Sequence, residues 1–310
     1  MLTRDVTEGT APAAAPPAPQ RHRWWHASPD RPAPLEATRS GSPESLVAWD
    51  SLGVQGRTFV TGGRTPAELV QASGHLPVAP VRVYAGLGSA DDPAERARLA
   101  AAELVRAGGL DRSVVLLTVG TATVAMQHSY LPSPLALVVD RDRSQQAARL
   151  LLDAVGQRLD AVPADRRPRL LVYGESLGVV GTQAAFASLA DVRARTDGVV
   201  WAGPPGFSSL WSSLVARRDP GTREVAPVYA GGLVVRFAQR PGDEQRPAAP
   251  WLDPVVTYWQ VSTDLARAQA PPDGHGHNYG DELVDAWVAV AAPDGWGEQD
   301  TARLHEVFER

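Results

Sequence analysis

Between residues 81 and 239, short and nearly continuous apolar runs alternate with longer segments whose apolar residues recur every three or four positions. The apolar runs are VRVYAGL (81–87), SVVLLTV (113–119), TATVAMQ (121–127), RLLVYG (169–174), GVVWAG (198–203) and LVVRFAQ (233–239). Runs of this length, rich in valine and leucine and lacking polar alternation, predict strands covered on both faces. Two segments between them, DDPAERARLAAAELVRAG (91–108) and RDRSQQAARLLLDAVGQRLD (141–160), have helical periodicity with aspartate ahead of the first turn. Buried strands separated by amphipathic helices predict an α/β fold with a doubly wound, mainly parallel sheet. No internal repeat interrupts the pattern.

Upstream of this region the composition changes. Residues 1–44 are rich in proline, alanine and serine with scattered charge, and are expected to form a flexible tail, leaving residues 45–310 as the folded domain. The adjacent Trp24 and Trp25 are the tail's bulkiest apolar pair, expected to be a loosely packed patch. A net charge of −5 provides no broad basic field, so nucleic acid is not an expected partner. All 30 basic residues are arginine, a bias that lowers the weight of any single one. With no cysteine there is neither a thiol nucleophile nor a sulfur-ligated zinc site. The N-terminal residues lack the apolar core of a signal peptide and no window reaches the length of a membrane span, so the chain by itself reads as soluble and cytoplasmic.

The candidate chemistry begins where the fourth apolar run ends. In LLVYGESLGVVG (170–181), Ser176 is flanked by Gly174 and Gly178 at the junction of a predicted strand and a predicted helix. Glycines at those two positions let strand, turn and helix approach closely while the serine is held in a sharp bend above the sheet. The backbone N–H of Leu177, at the start of the helix, is then placed to donate to an oxyanion. A serine capping a helix after a glycine turn is the competing reading; the matched flanks favour a nucleophile.

A serine hydroxyl needs an imidazole to accept its proton and a carboxylate to orient that imidazole. Three histidines follow Ser176: His275, His277 and His305. His305 belongs to a predicted terminal helix, DTARLHEVFER, on a face expected to be solvated. His277 is the preferred base because it lies nearer the start of the next helix, with His275 the second choice; a metal pair formed by these two with Asp281 is the competing reading. For the acid, Asp243 directly follows a predicted strand and Asp253 lies in WLDPVVTYWQ, and both also fit ordinary turn chemistry. No cofactor is expected. Trp201, Pro204, Pro205, Phe207, Leu210 and Trp211 either line an acyl pocket or belong to the core, and core is the expectation.

Taken together, SLVAWDSLGVQGRTFVTGG, AMQHSYLPS, YGESLG, GPP, VVTYWQVSTDL and GHGHNYG resemble the bacterial alpha/beta-hydrolase family whose fuller members carry several membrane-spanning helices ahead of a catalytic domain. The resemblance runs from about Ser45 to Arg310. It implies an alpha/beta-hydrolase type of fold, a catalytic serine at Ser176, a histidine in the GHGH loop, and an esterase- or lipase-like activity on a small-molecule or lipid ester. The family's Asp-Pro-Val-Val motif matches Asp253 to Val256, which moves the preference for the acid from Asp243 to Asp253. Association with a membrane or a membrane protein is implied in the same way. Two stretches are shorter than in the family. The Thr/Gly-rich loop after VVLLTV is reduced to the start of GTATVAMQ, and the acid motif runs directly into VVTYWQ. The first contraction is expected to remove a second oxyanion donor, and His128 stands where the family has tyrosine.

Overall fold

The computed structural model describes residues 31–74, 78–118, 124–129, 141–175, 177–202, 210, 235–238 and 281–308. Among the described residues, six strands form one sheet: β1 (Val83–Ala85), β2 (Val114–Thr118), β3 (Val124–Met126), β4 (Arg169–Glu175), β5 (Gly198–Ala202) and β6 (Val235–Ala238). Each coincides with one of the six apolar runs, β4 extending one residue beyond its run to Glu175. Their order across the sheet is β1-β3-β2-β4-β5-β6, and every pairing is parallel.

The helices among the described residues are α1 (Gly53–Thr61), α2 (Pro66–Ser73), α3 (Pro93–Arg106), α4 (Arg141–Asp160), α5 (Leu177–Gln183), α6 (Leu189–Arg195), α7 (Asp281–Ala291) and α8 (Glu298–Phe308). The strands alternate their side chains between two faces. Val83, Val115, Leu117, Val124, Leu170, Val172, Val199 and Trp201 meet apolar residues of α3, α4, α5 and α6 in the larger core. From the other face, Leu171, Tyr173, Val200 and Ala202 meet α7, while Tyr84 and Ala125 meet Phe59 and Val60 of α1. A parallel sheet with both faces covered is the doubly wound arrangement that the sequence predicts.

Local sequence explains several helix ends. Asp92 accepts a hydrogen bond from the Ala94 N–H, with Pro93 in the first turn of α3. Thr65 and Glu68 form a reciprocal capping box at the start of α2. Glu68 accepts from the Thr65 backbone N–H and hydroxyl, contacts that hold its carboxyl below the ordinary carboxylate range.

Residues 34–44, assigned by composition to a flexible tail, are packed against the domain. Ser40 and Ser42 are buried, the Ser40 N–H donates to the Arg82 carbonyl, and the Arg82 N–H donates to the Thr38 carbonyl. Glu103 of α3 provides the anchor: its fully buried carboxylate accepts from Ser45 Oγ at 2.7 Å, from the Leu46 N–H at 2.8 Å and from Ser40 Oγ at 3.3 Å. Arg106 closes the cluster with two hydrogen bonds of 2.7 Å to the same carboxylate, and these raise the guanidinium's pKa. Side-chain anchoring of this kind needs no apolar composition, so a reading based on apolar content misses it.

Candidate active site

Strand order changes direction between β2 and β4. The chain passes from β2 to β3 on one side, then crosses back over β2 to β4 on the other. In open α/β sheets the crevice outside the carboxyl ends of the strands at such a switch point is where ligands bind. The carboxyl end of β4 is Glu175 and α5 begins at Leu177, so a single position, 176, separates strand from helix.

The glycine at 174, near the end of β4, is required by packing. A Cβ on Gly174 would lie 2.5 Å from Thr182 Oγ1, 2.8 Å from the Gly178 carbonyl oxygen and 2.9 Å from the Gly178 carbonyl carbon. The strand end and the first turns of α5 therefore touch through backbone. Thr182 fastens the contact. Its hydroxyl donates to the Gly178 carbonyl at 2.7 Å and accepts from the indole N–H of Trp201 at 3.0 Å. Trp201 is fully buried on β5, and Leu210 is buried in the same core, so both belong to the interior, as expected.

On the opposite face of the sheet, α7 runs antiparallel to β4. Near the helix's end, the Val290 carbonyl accepts from the Arg169 guanidinium and the Val290 side chain lies against Gly198; these two residues begin β4 and β5. Three residues earlier in α7, the Trp287 ring meets Tyr173 with centroids 5.5 Å apart. Following α7 backward to Asp281 thus leads toward the carboxyl edge of the sheet. From Val290 to Asp281 the helix rises about 14 Å, against about 20 Å for β4 from Arg169 to Glu175. The Tyr173 hydroxyl donates to Glu175 Oε2 at 3.0 Å, which places this carboxylate on the α7 face beside the turn.

Of the residues singled out from sequence, the structure brings together Gly174, Gly178 and the backbone of Leu177. Ser176, Asp243, Asp253, His275 and His277 lie outside the described residues. His305 is half-buried and bridges α8 to α7, with Nε2 3.0 Å from Asp285 Oδ1. Among the described residues no three His, Cys, Asp or Glu side chains are grouped to hold a metal ion, and no helix is long and apolar enough to cross a membrane. A small cavity lined by Val78, Pro80, Val81, Arg112 and Val114 opens at the amino ends of the strands, on the edge opposite the turn.

The contraction after β2 has a structural counterpart. Parallel neighbours ordinarily need a crossover of about a dozen residues or more, yet only residues 119–123 separate β2 from β3. The register makes the short return feasible. β3 pairs with β2 through Leu117 with Val124 and Thr118 with Ala125, so β3 begins level with the last two residues of β2.

A family model described as the alpha/beta-hydrolase family matches residues 81–122, 117–254 and 251–304, and one described as the N-terminus of that family matches residues 21–63. The chain belongs to the alpha/beta-hydrolase family. Within this alpha/beta-hydrolase the three matched stretches meet at 117–122 and 251–254, the two places where the sequence is shortened. The N-terminal match covers the segment that Glu103 anchors. Comparison with curated proteins and with solved structures found no match.

Proposed function

We propose that this alpha/beta-hydrolase is a serine esterase that cleaves a carboxylic ester through an acyl-enzyme on Ser176. The observation that carries the reading is the separation of β4 from α5 by one residue, with the close Gly174–Gly178 backbone approach, at the switch point of the sheet. A serine in such a turn stands above the strand ends with its hydroxyl directed at the crevice. The direction of α7 supports the second component, because residues 275–280 join that helix at its end nearer the same edge.

In this mechanism His277, with His275 as the alternative, accepts the Ser176 proton as Oγ bonds to the acyl carbon. The proton then passes to the departing alkoxide as the ester C–O bond breaks. Water attacks the acyl-enzyme through the same imidazole, releasing the acid and restoring the serine. Asp253 orients the imidazole, with Asp243 the alternative. The Leu177 N–H, the first of its helix and so without an intrahelical acceptor, donates to the oxyanion. The substrate is a small-molecule or lipid ester.

A second reading is favoured by the five-residue link between β2 and β3. The loop after that early strand ordinarily contributes the other oxyanion N–H, and loss of one such donor costs about a hundredfold or more in rate. On this reading the fold retains the turn but binds a ligand without efficient turnover. Hydrolysis of a short-chain p-nitrophenyl ester separates the two. The esterase turns it over and Ser176→Ala abolishes the activity, whereas a binding protein shows no serine-dependent release of nitrophenol.

A further inference from the structure

The arginines around α1 fall into two groups. Arg57 pairs with Asp50 and Arg64 with Glu68, each at 3.2 Å. Arg31, Arg39 and Arg82 instead converge on the carboxyl end of the helix. Arg82 donates to the Phe59 carbonyl at 3.1 Å, Arg39 to the Val60 carbonyl at 2.5 Å and to the Gly62 carbonyl at 3.4 Å, and Arg31 to Thr61 Oγ1 at 3.1 Å. Among the described residues these three have a single ion pair, that of Arg39 Nε with the largely exposed Glu36 at 3.9 Å, beyond hydrogen-bond reach. Arg39 and Arg82 are also opposite one another in an isolated parallel bridge, which sets two guanidiniums side by side. Like charges so placed are destabilising, and burial together with the Arg39 charge lowers the Arg82 pKa. The Arg82 guanidinium is fixed in place all the same, its carbon 5.4 Å from the centre of the Phe59 ring.

We infer that Arg31, Arg39 and Arg82, gathered at the carboxyl end of α1, form a binding site for the phosphate group of an anionic ligand. The inference is independent of the esterase reading, because Arg82 adjoins the amino end of β1 whereas residue 176 follows the carboxyl end of β4. Charge argues for an anion. The end of a helix supplies about half an elementary negative charge, and the Glu36 carboxylate is distant and mostly in water. Capping therefore satisfies the carbonyls and leaves positive charge in excess. Shape argues for phosphate: one guanidinium fork fills a carboxylate, whereas a tetrahedral phosphate has acceptor oxygens for several. Access is provided by Gly63. This exposed glycine, at φ +101°, lies against Arg82, and a Cβ there would fall 2.1 Å from Arg82 Nη2. A side chain at 63 would cover the guanidinium; glycine leaves that edge open. All three arginines are half-buried, so their attraction for an anion is screened less than that of fully solvated charges.

The phosphate could belong to a small soluble molecule or to a lipid headgroup, and the test separates the two. The full chain is dialysed to equilibrium against radiolabelled inorganic phosphate at low ionic strength, and is sedimented with phosphatidylcholine vesicles prepared with and without phosphatidic acid. Wild type is compared with Arg39→Gln, Arg31→Gln and Arg98→Gln, the last an exposed arginine of α3 outside the cluster. We expect wild type to retain phosphate or the phosphatidic acid vesicles, and Arg39→Gln and Arg31→Gln each to weaken that binding about tenfold while Arg98→Gln leaves it unchanged. Retention of free phosphate assigns the site to a soluble ligand; retention only on the phosphatidic acid vesicles assigns it to a lipid headgroup. Arg31, whose contact is with a single side chain, carries the test if Arg39→Gln fails to fold. Folded wild-type protein that retains neither probe overturns the inference. So does binding that Arg31→Gln leaves intact, or that Arg98→Gln weakens as much as the cluster variants do.

Discussion

Trp201 on β5 donates its indole N–H to Thr182 Oγ1 on α5 at 3.0 Å, tying the strand beside the turn to the helix that follows it. The same hydroxyl donates to Gly178 and would touch any Cβ placed on Gly174. One threonine thus joins α5 to β5 and packs beside the end of β4.

Thr182→Val is therefore expected to destabilise the protein although the side-chain volume is unchanged. The substitution removes the two buried hydrogen bonds of the Thr182 hydroxyl, to the Gly178 carbonyl and from the Trp201 indole N–H, together worth about 1–3 kcal/mol. Urea unfolding of the variant should show a lower midpoint at an unchanged slope.

Gly174→Ala tests the close approach. The new methyl would have to displace Thr182 Oγ1 from 2.5 Å and backbone of Gly178 from 2.8 Å. Backbone cannot yield as a flexible side chain does, so the expected loss is about 1–3 kcal/mol or more. Because the displaced atoms flank residue 176, esterase activity should fall further than the folded fraction does. Equal losses of activity and folded fraction would show that the turn tolerates the shift.

Glu103→Gln addresses the N-terminal segment. The fully buried carboxylate accepts from two serines, the Leu46 N–H and Arg106, and an amide in its place must turn a donor toward at least one of them. A loss of about 2–4 kcal/mol is expected. Limited proteolysis should then cut within residues 34–47 under conditions in which the wild type resists.

The positions of the strands and the junction between β4 and α5 were legible from sequence because both depend on local patterns. Buried parallel strands lack polar alternation, and a glycine on either side of a serine is a short-range steric requirement. What decided the remainder is not local. Glu103 in AAAELVR reads as an ordinary solvated helix residue, and its burial depends on Ser40, Ser45 and Leu46, more than fifty positions away. For the same reason residues 34–44 were assigned to the tail. The hydrogen bond from Tyr173 to Glu175 follows from strand alternation once the face of α7 is known, but nothing in the sequence indicates which face that helix covers. His305, expected on a solvated face, is half-buried through Asp285 on the neighbouring helix. The order of strands across the sheet, with β3 placed outside β2 after only five residues, departs from the usual crossover length and is not encoded in periodicity.

The central claim is that the hydroxyl at the turn after β4 is an activated nucleophile. It is tested most directly by treating the protein with a fluorophosphonate and locating the adduct by mass spectrometry. The account predicts one adduct per chain, on the peptide containing Ser176, absent in Ser176→Ala and in heat-unfolded protein. Folded wild-type protein that stays unmodified, or is modified at another residue while Ser176 remains free, would contradict it.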